Sequence, residues 1–190
     1  ALCGVPEDGH LLLAVGRMHP EKRFSTIIKG FARAKAQRPL GLVMVGDGFA
    51  RAATEKKTRR VGNVYLTGFV RDRDELPRYY ASADMLVHGS GAETFGLVVA
   101  EAISSGLAVV VPDSGGAADL ASSGPSQTYA TGNPESCALA IERLLDPAHK
   151  LGVPDNPRPI VSLGEHFSAL FAHYEGLVAA RKSGRSSTRG

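Results

Sequence analysis

The chain has 190 residues, of which 43% are apolar and 22% charged, and this composition predicts an ordinary globular protein of about one domain. The net charge is only +3, and four of the basic residues stand within the final RKSGRSSTRG, so a surface dedicated to nucleic acid is disfavoured. Two cysteines without metal or redox spacing, no signal peptide and no apolar stretch of membrane-spanning length favour a reduced, cytoplasmic environment.

Short apolar runs recur along the chain, and each ends in glycine, proline or a polar loop. They do not alternate with polar residues, which is typical of strands buried on both faces. The runs stand at residues 11–16, 40–46, 63–68, 84–89, 107–112 and, in a shorter form, 127–131. These runs predict a parallel sheet of about six strands.

Helical patterns fill the intervals between these runs. One apolar face is formed by Phe24, Ile27, Ile28 and Phe31, and a looser one by Leu139, Ile141, Leu144 and Leu145. The longest pattern extends from residue 160 to residue 178. Alternating strands and helices predict an α/β fold, a single Rossmann-like domain around a doubly wound parallel sheet.

Three segments are predicted. Residues 1–150 form the sheet domain, residues 151–181 hold a linker and a closing amphipathic helix, and residues 182–190 form a disordered basic tail. The chain has no initiator Met and opens directly into a strand pattern, so we expect it to be a piece of a longer protein.

Ligands of open α/β sheets bind beyond the carboxyl ends of the strands, so the loops that follow the strands are the candidate site. In GRMHPEKR, Arg17 and Lys22 stand close to a helix start, where a bound anion would reverse their unfavourable interaction with the helix dipole. A solvated basic turn is the alternative. In HGSGAETFG, glycines surround Thr94, Phe95 and Gly96, whose amides are free donors at a helix start. Thr94 has the alternative role of an N-cap.

Several familiar motifs fail. GDGFAR and GSGAET each lack the third glycine of the dinucleotide fingerprint, and the chain has no GxxxxGK[ST], HExxH or G-x-S-x-G sequence. A P-loop, a zinc protease and a hydrolase triad are therefore disfavoured, and no metal site is predicted.

Two carboxylates, Glu93 and Glu101, interrupt the apolar run ETFGLVVAEAISSG. If the helix begins near Thr94, the two are offset by about 80° and separated by roughly 12 Å along its axis. That separation is too large for an acid/base pair acting on one bond. It suits two carboxylates that accept hydrogen bonds from hydroxyls at different places on an extended ligand, such as a sugar–diphosphate–ribose.

The E-x7-E arrangement, preceded by G-R-x4-K and followed by PDSGG, resembles the nucleotide-sugar-binding half of a GT-B glycosyltransferase. More narrowly, it is similar to the retaining family-4 enzymes, also called the glycosyl transferases group 1 family. The likeness extends from about residue 11 to residue 145 and includes VGDG, LTGFV and YYASADMLVHGS in the expected order. It implies that the chain is the C-terminal half of that architecture.

The resemblance implies roles for individual residues. It makes Arg17, Lys22 and Glu93 the catalytic group: the two cations grip the diphosphate and stabilise its leaving charge, and the carboxylate contacts the donor sugar. Glu101 would bind the ribose hydroxyls. The implied nucleotide-sugar-binding residues are Gly16, Gly46, Phe69, Val70, Thr94, Phe95, Gly96, Leu97 and Glu101. No metal and no cofactor are implied.

The family's other half, an N-terminal domain that binds a glycan or lipid acceptor, has no counterpart in this sequence. The chain is therefore expected to bind a UDP- or GDP-hexose but not to transfer it alone. His88, Gly89 and Ser90 stand where the family commonly has Pro-Ser. The basic tail is a candidate for peripheral contact with anionic lipid at the inner membrane face, against the alternative of a disordered end.

Three other functions remain open at this point. The first is an NAD(P)-binding oxidoreductase domain, which shares the fold class. The second is a non-catalytic nucleotide-binding module that has kept the pocket. The third is a sugar epimerase or phosphorylase of the same architecture. The sequence does not choose between UDP and GDP.

Overall fold

The computed structural model describes residues 4–72, 74–148, 160, 164–165 and 167–175. Within these ranges six parallel strands form one sheet in the order β3-β2-β1-β4-β5-β6. The strands are β1 His10–Val15, β2 Leu40–Val45, β3 Val64–Gly68, β4 Met85–Val87, β5 Ala108–Pro112 and β6 Ser126–Tyr129. The helices are α1 Phe24–Phe31, α2 Arg51–Thr58, α3 Glu75–Ser82, α4 Leu97–Ser104, α5 Gly116–Ala121 and α6 Pro134–Leu145, and a 3₁₀ turn, Pro20–Lys22, precedes α1.

The central strands are buried on both faces, as their unbroken apolar runs predict. On one face Leu12 of β1 and Leu42 of β2 stand side by side and belong to the core that α1 and α6 cover. On the other face Leu13 and Val43 belong to a second core, which α3, α4 and α5 cover. The predicted α/β fold with a doubly wound parallel sheet of six strands is confirmed.

Helix α1 buries its predicted face, and on α6 Ile141 is buried and Leu144 and Leu145 pack against the same core, but Leu139 does not. Cys137, Ala138, Ala140 and Ile141 are buried, whereas Leu139 is exposed, so its placement on the buried face is wrong. The cause is close helix packing: a Cβ on Gly30 of α1 would stand 2.7 Å from Sγ of Cys137. Where two helices approach so closely, small residues fill the contact and leucine is displaced from it.

The order of the strands reverses between β1 and β4, which are neighbours in the sheet although β2 and β3 lie between them along the chain. The chain leaves β1 toward α1 on one face and leaves β4 toward α4 on the other. A crevice at the carboxyl ends of the two strands follows from this reversal. The loops at residues 16–23 and 88–96 lie there.

The chain divides into two compact units, Ala1–Arg158 and Pro159–Gly190. In the second unit residues 164–165 and 167–175 are helical, and the rings of Phe167 and Phe171 stack with their centroids 6.3 Å apart. The predicted linker, the rest of the closing helix and the tail at 182–190 lie outside the described residues, so the three predicted segments stay predictions.

Candidate functional site

The loops that follow β1 and β4 meet where the strand order reverses. Lys22 donates a hydrogen bond from Nζ to Oε2 of Glu93 over 2.5 Å. Their side chains are 20% and 21% exposed, so the ion pair is partly shielded from water. A Cβ on Gly89 would stand 2.4 Å from the carbonyl oxygen of Lys22, and only glycine allows so close an approach of the two loops. The structure thus brings two of the predicted catalytic residues together.

A cavity of about 280 Å³ adjoins this ion pair, and Thr94 and Phe95 also line it. The backbone amides of Thr94, Phe95 and Gly96 have no hydrogen-bond partner in the part of the chain that the structure describes. Free N–H donors beside a lysine are suited to an anion with several oxygens.

Arg17 does not join the pair. Its side chain is 70% exposed, and its guanidinium stands 3.7 Å from the carboxylate of Glu21. It is not among the residues that line the cavity. The structure therefore places only one of the two predicted cations next to Glu93.

The prediction that α4 begins near Thr94 is wrong. The helix begins at Leu97, and Gly96 precedes it in a left-handed conformation with φ +64°. No side chain caps the helix, so the N-cap role of Thr94 is wrong as well. Glu93 lies in the loop and not on the helix, and the rotation and rise worked out for two carboxylates on one helix do not apply.

The loop at Glu93 is held by the start of α5. The amide of Gly116 donates to the carbonyl oxygen of Glu93 over 2.6 Å. A Cβ on Gly116 would stand 2.4 Å from the carbonyl oxygen of Thr94. The close approach of two backbones thus explains Gly116 of the PDSGG sequence without a ligand.

Glu101 lines a different cavity, of about 540 Å³, together with Val70 and Tyr80. The hydroxyl of Tyr80 donates to Oε2 of Glu101 over 2.7 Å. Burial and the neighbouring carboxylate raise the pKa of Tyr80, which therefore stays a hydrogen-bond donor at neutral pH. The two glutamates of E-x7-E have separate partners within the chain and border separate cavities.

Large apolar side chains are exposed at the carboxyl edge of the sheet. Phe49 follows β2, Phe69 follows β3, and Phe95 and Leu97 follow β4, and all four are more than half exposed. Phe69, Phe95 and Leu97 were predicted as binding residues, whereas Phe49 was not. The three exposed phenylalanine rings offer stacking surfaces, and Leu97 adds apolar contact area, for a ligand or another domain.

Gly16 and Gly46 follow β1 and β2 directly. A Cβ on Gly46 would stand 2.0 Å from the carbonyl oxygen of Gly16, so the two loops leave the sheet in backbone contact. Both glycines also have positive φ, at +150° and +136°. The close approach explains Gly46, and the positive φ explains Gly16, without a ligand.

One buried polar residue at the site was assigned no role from the sequence. His88 follows β4, is 4% exposed, and stands with Nε2 3.7 Å from Oε2 of Glu93. Its Nε2 is buried and has no hydrogen-bond partner. Burial lowers the pKa of His88 to about 4, with Lys22 adding to the fall and Glu93 opposing it, so the imidazole is neutral at pH 7. The sequence signal was the departure from Pro-Ser at this position.

Among the described residues, no group of three or more His, Cys, Asp or Glu side chains is arranged to hold a metal ion. Among the same residues, no helix has both the length and the apolar character needed to cross a membrane.

The chain matches a family model described as Glycosyl transferases group 1 over residues 9–147. It is 34% identical over 161 residues to D-inositol 3-phosphate glycosyltransferase 2 of Catenulispora acidiphila, covering 78% of this chain and 38% of the relative. It is 41% identical over 115 residues to a GDP-mannose-dependent alpha-mannosyltransferase of Mycobacterium tuberculosis, covering 60% of this chain and 28% of the relative.

A solved structure with the same fold is that of Anabaena HepE in complex with UDP and glucose. The TM-score is 0.66 with 23% sequence identity, and the match covers 76% of this chain and 41% of that one. The chain therefore spans well under half the length of each of these proteins.

Proposed function

Because this chain belongs to the glycosyl transferases group 1 family, we propose that it is the donor-binding domain of a retaining glycosyltransferase. The enzyme transfers a hexose from a UDP- or GDP-sugar to a glycan or lipid acceptor. The observation that carries the proposal is the cavity in which Lys22 and Glu93 lie beside free loop amides. A cation and N–H donors suit a diphosphate, and a carboxylate suits sugar hydroxyls.

In this proposal the diphosphate lies over the first cavity, the one of about 280 Å³ beside Lys22 and Glu93. Lys22 and the amides of Phe95 and Gly96 bind its oxygens and stabilise the charge that develops as it leaves. Arg17 joins them from the surface. Its contact with Glu21 is an exposed ion pair, which is worth less than about 1 kcal/mol, so turning toward a diphosphate costs little.

The nucleoside occupies the second cavity, the one of about 540 Å³ that Val70, Tyr80 and Glu101 line. Glu101, oriented by Tyr80, accepts hydrogen bonds from the ribose hydroxyls. Phe69 and Val70 border the base, where the exposed ring of Phe69 supplies a stacking surface. Support for a nucleoside diphosphate comes from the relative named as GDP-mannose-dependent and from the fold neighbour in complex with UDP.

Transfer requires a second domain that binds the acceptor. The chain spans 38% and 28% of the two relatives, which leaves room in them for such a domain. Residues 1–150 form the donor-binding part of this arrangement. Incubating the chain with donor and acceptor is expected to give no transfer, and robust transfer would contradict the two-domain arrangement.

We place the protein in the cytoplasm. The thiol of Cys137 is free and buried, as suits a protein kept reduced. Contact of the basic tail at 182–190 with the inner membrane face remains part of the proposal. Co-sedimentation with anionic vesicles, compared between the full chain and one ending at residue 181, tests the contact.

Calorimetric titration with UDP and with GDP tests the donor site. We expect saturable binding of one nucleotide, and Glu101→Ala is expected to weaken it by roughly 1.5 to 3 kcal/mol through loss of a charge-assisted hydrogen bond. Glu135→Ala is the matched control, because that carboxylate pairs with Arg33 at the surface and lines neither cavity.

The same titration separates the alternatives. Binding of neither nucleotide by the folded chain would contradict the proposal. Tight binding of NADH in their place would favour the oxidoreductase reading. Equal losses in Glu101→Ala and Glu135→Ala would show that the effect is not specific to the second cavity.

A further inference from the structure

Glu93 stands between two potential donors. Its Oε2 accepts the hydrogen bond from Nζ of Lys22 and stands 3.7 Å from Nε2 of His88. The distance to the imidazole is too long for a hydrogen bond, and Nε2 has no other partner. A short movement of one carboxylate therefore decides which of the two side chains it contacts.

The backbone of His88 is held by hydrogen bonds at its carbonyl and its amide. Tyr129 in β6 donates from its hydroxyl to the carbonyl oxygen of His88 over 2.7 Å. The amide of His88 donates to the carbonyl oxygen of Val110 in β5. Gly89 then packs against the backbone of Lys22. Because the backbone of His88 is held at both groups and its side chain is more deeply buried than that of Glu93, we take the carboxylate to be the group that moves.

An unpartnered buried nitrogen is costly, by an amount comparable to a lost hydrogen bond. A neutral imidazole carries one N–H, and Nε2–H facing a carboxylate is the tautomer that this site favours. The charged groups facing the ring are Glu93 and Lys22. The ring thus offers a donor that Glu93 does not use while it is bound to Lys22.

We propose that His88 is a positioning residue that donates a hydrogen bond to the carboxylate of Glu93 when a diphosphate binds Lys22. This inference rests on the proposed donor site. In the free chain Lys22, which the diphosphate needs, is paired with Glu93. Binding separates the pair and leaves a partly buried carboxylate beside phosphate charge, and the hydrogen bond from Nε2–H of His88 stabilises it there. Glu93 is then held toward the donor sugar.

The first test needs no nucleotide. Lys22→Met removes the competing donor, so Glu93 is expected to accept from His88 in the free protein. NMR of ¹⁵N-labelled histidine is expected to show the Nε2–H tautomer, with its proton signal moved downfield relative to the wild-type chain. Lys29→Met, at an exposed position of α1, is the control and is expected to leave the signal in place. An unchanged His88 signal in Lys22→Met would overturn the proposal.

The second test is a double-mutant cycle with the affinity for UDP and GDP as readout. His88→Leu is expected to weaken binding about tenfold, since the freed carboxylate loses a charge-assisted hydrogen bond. His88→Gln, which keeps an N–H donor, is expected to stay within about twofold of the wild-type chain. In a Glu93→Gln background no stranded charge remains, so the effect of His88→Leu is expected to disappear.

The outcomes separate the two proposals. Equal losses from His88→Leu with and without Glu93 would indicate a merely structural role and overturn the inference. If no nucleotide binds the folded wild-type chain, the donor site fails, and the NMR comparison of Lys22→Met with Lys29→Met still decides the exchange between His88 and Lys22.

Discussion

Replacing Tyr80 by phenylalanine removes the hydroxyl that holds Glu101 and keeps the ring through which α3 packs on the core. The ring of Tyr80 is buried, and its hydroxyl makes the 2.7 Å hydrogen bond to Glu101. A hydrogen bond to a charged acceptor contributes about 1.5 to 3 kcal/mol when the acceptor is shielded. Glu101 is exposed and regains water when the hydroxyl is lost, so the expected loss in the free energy of unfolding is about 1 kcal/mol. No cavity forms, because the ring remains.

The assay has two readouts and a matched control. A loss of this size lowers the midpoint of thermal unfolding by about 2 to 4 °C in a chain of this length. If Glu101 binds the ribose as proposed, nucleotide affinity is expected to fall about fivefold, because the carboxylate loses the hydroxyl that orients it. Tyr79→Phe is the control: the neighbouring hydroxyl donates to Glu75 over 3.1 Å on the same helix, and Glu75 does not line the cavity. Its expected loss is about 0.3 kcal/mol.

Equal affinities in Tyr80→Phe and the wild-type chain would refute the reasoning that Tyr80 orients Glu101. A stability loss above about 3 kcal/mol would refute the claim that the carboxylate is rehydrated, since it would match a buried charge left without its partner.

Three further changes follow from the same contacts. Burial raises the pKa values of Tyr80 and Tyr129, so above about pH 10 the folded chain keeps protons that the unfolded chain loses. The free energy of unfolding, measured in urea, is therefore expected to fall above about pH 10 by up to about 1.4 kcal/mol per pH unit for each tyrosine. The pKa of His88 is lowered to about 4, so stability is expected to fall as the pH drops from about 6.5 to about 4. His88→Leu should remove up to about 3 kcal/mol of that fall in the same urea series. In Gly116→Ala the new Cβ meets the carbonyl oxygen of Thr94, so the free energy of unfolding is expected to fall by about 1 to 3 kcal/mol. Nucleotide binding is expected to weaken as well, and unchanged binding by calorimetry would contradict this prediction.

The strands were predictable because a parallel sheet covered on both faces demands unbroken apolar runs. The predicted run at 40–46 and the observed β2, Leu40–Val45, differ by one residue. The meeting of Lys22 with Glu93 was predictable for a related reason. Parallel strands end at one edge, and β1 and β4 are neighbours at the reversal of strand order.

Contacts between distant backbones were not predictable. The start of α4 moves from Thr94 to Leu97 because the loop before it packs on α5, where Gly116 donates to Glu93. Nothing in the local sequence records that contact. The exposure of Leu139 has a similar origin, since Gly30 of α1 brings Cys137 into the core in its place. Helical periodicity identifies apolar residues but does not say how closely the neighbouring helix approaches.

The two glutamates show how a sequence motif was given a wrong geometry. The spacing in E-x7-E was interpreted as a rotation around one helix, yet Glu93 lies in a loop held by Lys22 and by the amide of Gly116. Glu101 lies on α4 and is held by Tyr80. Each carboxylate borders its own cavity, so a ligand that contacts both has to reach from one cavity to the other. A nucleoside diphosphate sugar is extended in this way and carries hydroxyls at both ends of a diphosphate, whereas a single hexose does not.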